Sequence, residues 1–515
     1  MKILRSIATV GGYTAVSRVF GLGREILMSH VLGVGMVSDA FWVAFKFPNF
    51  FRRFFAEGAF NAAFVPMFAG TLATEGISTA RLLAERVLSV LVLVLIGLVI
   101  FIEFGVPWLI YGLAPGFATT PERLDLAIQF IRITFPYILF ISLAALLSGV
   151  LNSLDRFAAA AAAPILLNIL MILALIVYSS INLSAGHALS WAVFIAGVIQ
   201  LLWLYIACKR AGFPISIKFP HLTPEVKKVV TLMIPGAFGA GVMQVNLLMD
   251  MILASFLPLG AISYLCYADR LNQLPLSIFG VAIGTALLPL LSRQLRAGEV
   301  EKALKSQNMA VEVALQLTLP AAVGLIVLAY PIINLIYGHG HFTKMDVAAT
   351  APALAAFATG LPAYVLGKVF VTSFFARQDT KTPVKIAILC VATNLFLNLI
   401  LMRFFAHVGM AIATSIAAWL NTGLLVLALR RRGLFSVSRH LRHLSLRLCL
   451  VCAMMAGGIF LLLDPLEPLL IGGIMHQISG IATLVTFGLV LFIGFGQWVG
   501  AFNIQALVRT WRQRS

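Results

Sequence analysis

Apolar runs of about twenty residues recur along this chain, each closed by a short polar stretch in which lysine and arginine outnumber the acids. A membrane-crossing helix needs about 20 mostly apolar residues. That rule predicts fourteen spans: 7–30, 36–70, 87–112, 124–150, 160–180, 187–208, 227–256, 264–292, 308–336, 347–374, 384–403, 408–429, 445–463 and 478–500. The opening MKILRSIATVGGYTAVSR imitates a signal peptide, with Lys2 and Arg5 ahead of an apolar stretch. No small-residue cleavage site follows a clean apolar region, and Arg18 and Arg24 interrupt what comes next, so it reads as a retained first helix.

The basic residues orient this array. With the N-terminus in the cytoplasm, inside loops hold 26 of the 37 Lys and Arg, and outside loops hold Arg123, Lys344 and Arg403. One span more or fewer would invert every later loop and erase the contrast, so both termini are expected inside. Composition agrees with the pattern: 61% of residues are hydrophobic, 11% charged, and mean hydropathy is +1.00. A soluble protein carries about 25% charged residues, which excludes a string of soluble domains. The net charge of +18 is then a set of basic loops against an anionic leaflet, not a nucleic-acid surface. The five cysteines lie in or beside apolar runs with no CxxC pair and read as buried apolar side chains.

An internal repeat organises the spans. LIYG at 109–112 returns at 335–338, Pro136 of FPYIL corresponds to Pro362 of LPAYV, and AAFVP (62–66) has a looser counterpart in TALLP (285–289). Six helices separate the copies, an even number, so both copies face the same way, as in parallel-repeat transporters. The expected architecture is all-α: an N-lobe at 1–222 with helices 1–6, a C-lobe at 223–432 with helices 7–12, and helices 13–14 with a cytoplasmic tail at 433–515. After LIYG, Thr120-Pro121-Glu122 reads as a helix start and Thr343-Lys344-Met345-Asp346 as a capping box. His339 and His341 nearby read as a solvated loop.

Charges remain inside the spans: Arg18, Arg24, Lys46, Arg52, Arg53, Arg132, Arg270 and Lys368, with the acids Glu25, Asp39, Glu57, Asp250 and Asp269. Each costs roughly 2.5–3.5 kcal/mol at a helix centre, so the clustered ones are expected to face one another or a hydrated cavity. Asp39, Lys46, Arg53, Glu57 and Asn61 share one helical stripe. Pro48 can shift that phase, which leaves both Arg52 and Arg53 as inward candidates. Bases outnumber acids here, and arginine's planar fork suits phosphate oxygens, so the cavity points to an anionic, phosphorylated substrate. A second constellation holds hard oxygen donors that would suit Na⁺: Asp250, Asn394, Asn398 and Thr414. Polar packing between helices explains the same residues without an ion.

The runs SRVFGLGRE, SDAFWVAFKFPNFFRRFFAEGAFNAAFVP, YADRLNQLP and RQDTKTPVK resemble the MurJ/MviN lipid II flippases of the MOP exporter superfamily. The likeness extends over essentially the whole chain. It implies movement of lipid II, the undecaprenyl-diphosphate-linked peptidoglycan precursor, from the inner to the outer leaflet of the bacterial cytoplasmic membrane. Alternating access would be driven by membrane potential or an ion gradient. The resemblance also implies that Arg18, Arg24, Asp39, Arg52 and Arg270 line a central cavity with Glu57 nearby. The arginines would grip the diphosphate, Asp39 would order them, and helices 13–14 would form a groove for the polyprenyl tail. It favours Arg52 where the helical stripe favours Arg53; Lys46 and Asn49 complete the candidate set. Some members bind Na⁺ at positions matching Asp250, Asn394, Asn398 and Thr414, although Asn398 stands where such a member has aspartate. The expected partners are lipid II and membrane lipids, for a monomer with no cofactor beyond a Na⁺ coupling ion. The rival within the superfamily is an exporter of another polyprenyl-linked glycan or an amphipathic drug. No GxxxxGK[ST] motif and no clustered acids for Mg²⁺ are found, so an enzyme is not expected.

Overall fold

The computed structural model describes residues 2–52, 60–180 and 182–501, which are helical almost throughout. They form two compact units, Met1–Ser263 with Gly340–Phe342, and Tyr264–His339 with Thr343–Ser515.

Unit 1 holds α1 (Lys2–Leu32), α2 (Met36–Phe51), α3 (Asn61–Thr74), α4 (Gly76–Leu113), α5 (Pro121–Thr134), α6 (Tyr137–Ser153), α7 (Phe157–Val177), α8 (Ala185–Arg210) and α9 (Pro224–Ser255). Helix α7 packs between α1 and α8, α2 lies on α5, and α3 fits against α4 and α6. Helix α9 packs along α3 and α4, although the repeat assigns it to the second lobe. Its Val226 and Val229 are buried in the apolar cluster that contains Phe64, Phe68, Leu146 and Phe213. Repeat order and packing therefore divide the chain at different places, because α9 buries its apolar face on unit 1. Phe60 and Phe64 of the 46–66 region belong to this interior. Phe47 packs on Phe51 and Phe135, and Phe60, Phe64 and Phe68 stack in succession.

Unit 2 holds α10 (Ala261–Arg296, from Tyr264 onward), α11 (Val300–Val327), α12 (Ala329–Tyr337), α13 (Lys344–Thr359), α14 (Leu361–Phe375), α15 (Lys381–Arg431), α16 (Arg439–Ile471) and α17 (Ile474–Trp498). Helix α16 packs on both α17 and α11, and α15 on both α13 and α14. Ala406 breaks α15 with φ 47° and ψ −129°, between the spans expected at 384–403 and 408–429.

Ten helices among the described residues are long and apolar enough to cross a membrane. Among the described residues, 36–70, 124–150, 308–336 and 347–374 each run over two helices, 384–403 and 408–429 share α15, and 7–30, 36–70 and 227–256 lie outside those ten. Two of these three, on α1 and α2, are where the candidate site's charges concentrate.

The repeat is visible in where helices stop. LIYG closes α4 in one copy and α12 in the other. The following helix opens at Pro121 or Lys344, and a break comes at Pro136 in one copy and at Gly360, two residues before Pro362, in the other. The capping box forms at Thr343: Asp346 Oδ2 accepts from the Thr343 N–H at 2.8 Å, and Thr343 Oγ1 accepts from the Asp346 N–H at 3.3 Å. Thr120 occupies the matching position without a side-chain cap bond. Of the cysteines, Cys208, Cys390 and Cys452 are buried as expected, Cys266 is half-buried and Cys449 is exposed.

Two loops are pinned by carboxylates. Glu85 on α4 accepts from the Ser216 N–H (3.1 Å), Ser216 Oγ (2.8 Å) and Lys218 Nζ (2.6 Å). Ser89 accepts from the Lys218 N–H at 2.8 Å, and Arg81 donates to the Gly212 carbonyl at 3.2 Å. The stretch 212–218 is thereby stapled along α4. In the second loop, between α14 and α15, Asp379 accepts from Thr382 N–H (3.0 Å), Thr382 Oγ1 (2.6 Å) and Arg432 Nη1 (2.6 Å). The Thr382 hydrogen bonds, and then the Arg432 guanidinium, hold the Asp379 carboxyl far below its ordinary range. A carboxylate depressed on folding stabilises the folded state above its unfolded pKa, about 3.9, and that contribution is lost as pH falls toward the folded value. The unfolding midpoint of Asp379→Asn should therefore lie below wild type at pH 7, with a gap that shrinks below about pH 4. A gap independent of pH would contradict this.

Candidate functional site

Arg24 sits on α1 at 5% exposure, because α7 provides it with a polar partner in an otherwise apolar run. Its Nη1 donates to Asn168 Oδ1 at 3.0 Å and its Nη2 pairs with Glu25 Oε1 at 2.8 Å. Its guanidinium carbon stands 5.7 Å from the centroid of the Phe45 ring. Asn168 in turn donates to the Ser17 carbonyl at 3.1 Å, tying α7 to α1 on both sides of the glycines at 21 and 23. The sequence pattern picks out Arg24 and Glu25 but passes over Asn168, whose signal is a lone amide inside ILLNILMIL.

Asp39 is fully buried, and its partner is an arginine the sequence placed in an outside loop. Arg123, in the first turn of α5 and 4% exposed, donates Nη2 to Asp39 Oδ2 at 2.7 Å. The N–H groups of Gly260 (2.8 Å) and Ser263 (3.0 Å) and the Ser263 hydroxyl (2.6 Å) complete the carboxylate's shell. Gly260 and Ser263 flank the start of α10, where helix N–H groups lack intrahelical acceptors, so Asp39 caps that helix from a distance in sequence. Arg123 also lies over Phe117, 3.8 Å from the ring centroid. Asp39 thus serves Arg123 and the 260–263 turn.

The remaining candidates divide clearly. Arg52, half-buried at the end of α2, donates Nε to Asn49 Oδ1 at 3.1 Å, and Asn49 donates to the Phe45 carbonyl at 2.7 Å. Pro48 sits inside this helix, and the Asn49–Arg52 pair forms directly after it. Arg18 and Lys46 are exposed. Asp39 and Lys46 belong to one stripe but lie seven residues apart, about 10.5 Å along the helix, which is how one is buried and the other is not. Arg53 and Glu57 lie outside the described residues. Arg270 is half-buried on α10 in unit 2, one residue past Asp269, which accepts from Gln273.

Three residues of the hard-oxygen set meet within unit 2. Asn394, Asn398 and Thr414 come together on the two arms of α15: Asn398 Nδ2 donates to Asn394 Oδ1 at 3.1 Å, and Asn394 Nδ2 lies 3.5 Å from Thr414 Oγ1. Both asparagines are buried. Such amide and hydroxyl oxygens fit a hard cation such as Na⁺. Asp250 belongs to unit 1, on α9, where Asn246 donates to it at 3.2 Å. No group of three or more His, Cys, Asp or Glu able to hold a metal occurs among the described residues. His341 is exposed, and its N–H donates to the His30 carbonyl at 2.9 Å.

Comparison with known proteins bears on the family and the fold. The family model described as Lipid II flippase MurJ matches residues 28–479. A relative from Rhizobium tropici, described as a probable lipid II flippase MurJ, is 41% identical over all of this chain and 97% of its own length. A solved structure titled Lipid II flippase MurJ, inward closed conformation, superposes with TM-score 0.78 at 27% identity, over 95% of this chain and 97% of that one. An inward-facing multidrug resistance MATE family transporter of the MOP superfamily shares the fold, with TM-score 0.69 at 16% identity over 81% and 94% of the two chains.

Proposed function

The chain belongs to the lipid II flippase MurJ family, and from that premise we propose that it moves lipid II from the inner to the outer leaflet of the bacterial cytoplasmic membrane. It is a multi-pass membrane transporter, not an enzyme. The observation that carries the reading is the family match across nearly the whole chain, joined to a buried arginine, Arg24, in the first helix. Transport runs by alternating access: the diphosphate is taken up by arginines on one side and released on the other.

In this reading Arg24, Arg52 and Arg270 are the arginines that grip the diphosphate, with Arg18 at a more exposed point of α1. Asn49 orients Arg52, and Lys46 adds positive charge along α2. Arg53 and Glu57 complete the charged stripe expected there. Asp39 acts indirectly, by neutralising Arg123 and anchoring residues 260–263. Both termini lie in the cytoplasm, as the distribution of basic loops supports, and the protein works as a monomer among membrane lipids.

The driving force is the membrane potential or an ion gradient; moving one charge through 100 mV is worth about 2.3 kcal/mol. Na⁺ is the proposed coupling ion, with Asn394, Asn398 and Thr414 supplying oxygens and Asp250 the charge. Sodium-independent transport, unaltered by Asn394→Ala, would remove that part of the proposal.

The test of function is rescue. Cells depleted of their own lipid II flippase should regain growth and outer-leaflet lipid II when this chain is expressed. Correct membrane insertion without either recovery would overturn the assignment.

A further inference from the structure

A second basic site lies in unit 2, and none of its lining residues is among those assigned to the substrate. The last turn of α10 and the turn after α14 enclose a cleft of about 440 Å³ whose lining includes Ser292, Leu295, Arg296, Phe375, Arg377 and Gln378. Two arginines line it, and no acid occurs among the described lining residues. The neighbouring Asp379 is already committed to Thr382 and Arg432.

Arg377 is the central feature. Its Nη1 donates to the Ser373 carbonyl at 2.8 Å, whereas its Nη2 is buried and has no hydrogen-bond partner among the described residues. A buried polar group left unpaired is costly, more so when charged. Burial accordingly lowers the affinity of this guanidinium for its proton, a penalty that an approaching anion would offset. Gln378 holds a left-handed backbone at φ 61°, a conformation that non-glycine residues seldom adopt. Arg296 is exposed, with Nε directed to the Ser292 carbonyl at 3.3 Å.

The surroundings define the ligand further. Phe375 is 45% exposed and Leu295 half-buried, so apolar surface borders the two guanidinium groups. Both helix ends fall where the expected spans 264–292 and 347–374 stop, on the side rich in basic residues. A free anion would have no use for the apolar border. A phospholipid has a phosphate and, directly below it, glycerol and acyl carbons.

We propose that this cleft binds the phosphate of an anionic phospholipid headgroup of the cytoplasmic leaflet, held by Arg377 and Arg296 with Leu295 and Phe375 against the glycerol and first acyl carbons. Arginine's fork reaches two phosphate oxygens at once, and basic pockets between membrane helices on this side are suited to such headgroups. The assignment of side rests on the orientation proposed above; the chemistry of the cleft does not.

The test uses the full chain in non-ionic detergent, titrated with dioctanoyl-phosphatidylglycerol while its unfolding midpoint is followed. The lipid should raise the midpoint of wild type, and dioctanoyl-phosphatidylcholine should raise it much less. Arg296→Gln and Arg377→Gln should each weaken the apparent affinity by about fivefold, the effect of one basic residue near a lipid headgroup. Lys302→Gln, an exposed position paired with Glu299, should leave it unchanged. Equal binding by the Arg296 variant, equal loss in the Lys302 variant, or equal response to the choline lipid would overturn the proposal. Inorganic phosphate that saturates the site alone and abolishes the lipid response would reassign it to a soluble anion. If Arg377→Gln does not fold, Arg296→Gln decides the matter, because its side chain lies exposed on the helix end.

Discussion

Replacing Asp39 with alanine is expected to destabilise the protein by about 3–5 kcal/mol, the range for breaking one side of a buried ion pair. The loss has two parts. Arg123, 4% exposed, would keep its charge with no carboxylate to meet it, and the Gly260 and Ser263 N–H groups would lose their acceptor. Arg123→Ala should cost less, because Asp39 would retain three donors from residues 260 and 263. The double variant should be less damaging than the two single effects added together, as contacting residues require. Unfolding midpoints of the four proteins in detergent measure this directly. Additive losses would mean that the two side chains do not act as a pair.

The second large effect is at Arg24. Charge-assisted hydrogen bonds are worth about 1.5–3 kcal/mol, so if Arg24 grips the diphosphate, Arg24→Ala should slow lipid II flipping roughly ten- to hundredfold. A structural cause must be separated from this one, because the same substitution removes the guanidinium paired with Glu25, which is 2% exposed. Arg24→Ala combined with Glu25→Gln should recover the unfolding midpoint and leave flipping depressed. Arg24→Lys keeps the charge but cannot bridge Asn168 and an anion in one plane, and should fall between. Recovery of flipping together with stability in the double variant would show that Arg24 is only a packing residue.

The helices were legible because the bilayer imposes one requirement on every span, an apolar run of sufficient length. Their breaks were legible for a local reason: Pro136 and Pro362 cannot donate into a preceding helix, and Thr343 and Asp346 satisfy each other's backbone. The placement of α9 was not legible. The repeat reports descent of the chain from two copies, whereas Val226 and Val229 report which neighbour has apolar surface to cover.

The same division holds in the candidate site. Asp39 announces itself as a charge inside a span, but nothing local distinguishes Arg123 from a solvated loop residue. Its partner lies 84 positions away in sequence, and only packing of α2 on α5 brings them together. Asn168 was missed for the opposite reason, since an amide in an apolar helix raises no alarm until an arginine is found pointing at it. Of Arg52 and Arg53, only Arg52 lies among the described residues, and it donates to Asn49, the residue immediately after the proline inside α2.

The staple on α4 has a practical side for engineering. The join between α8 and α9 is a loop, the kind of place chosen for an epitope, a fluorescent protein or a protease site. Yet 212–218 is hydrogen-bonded to Glu85, Ser89 and Arg81, so cargo inserted there would have to tear a seam open. Past Lys218 the seam ends: Phe219 is 78% and Leu222 63% exposed. Insertion is tolerated where backbone and side chains are unburied, which leaves the three or four positions around His221 as the place to graft a reporter onto this transporter.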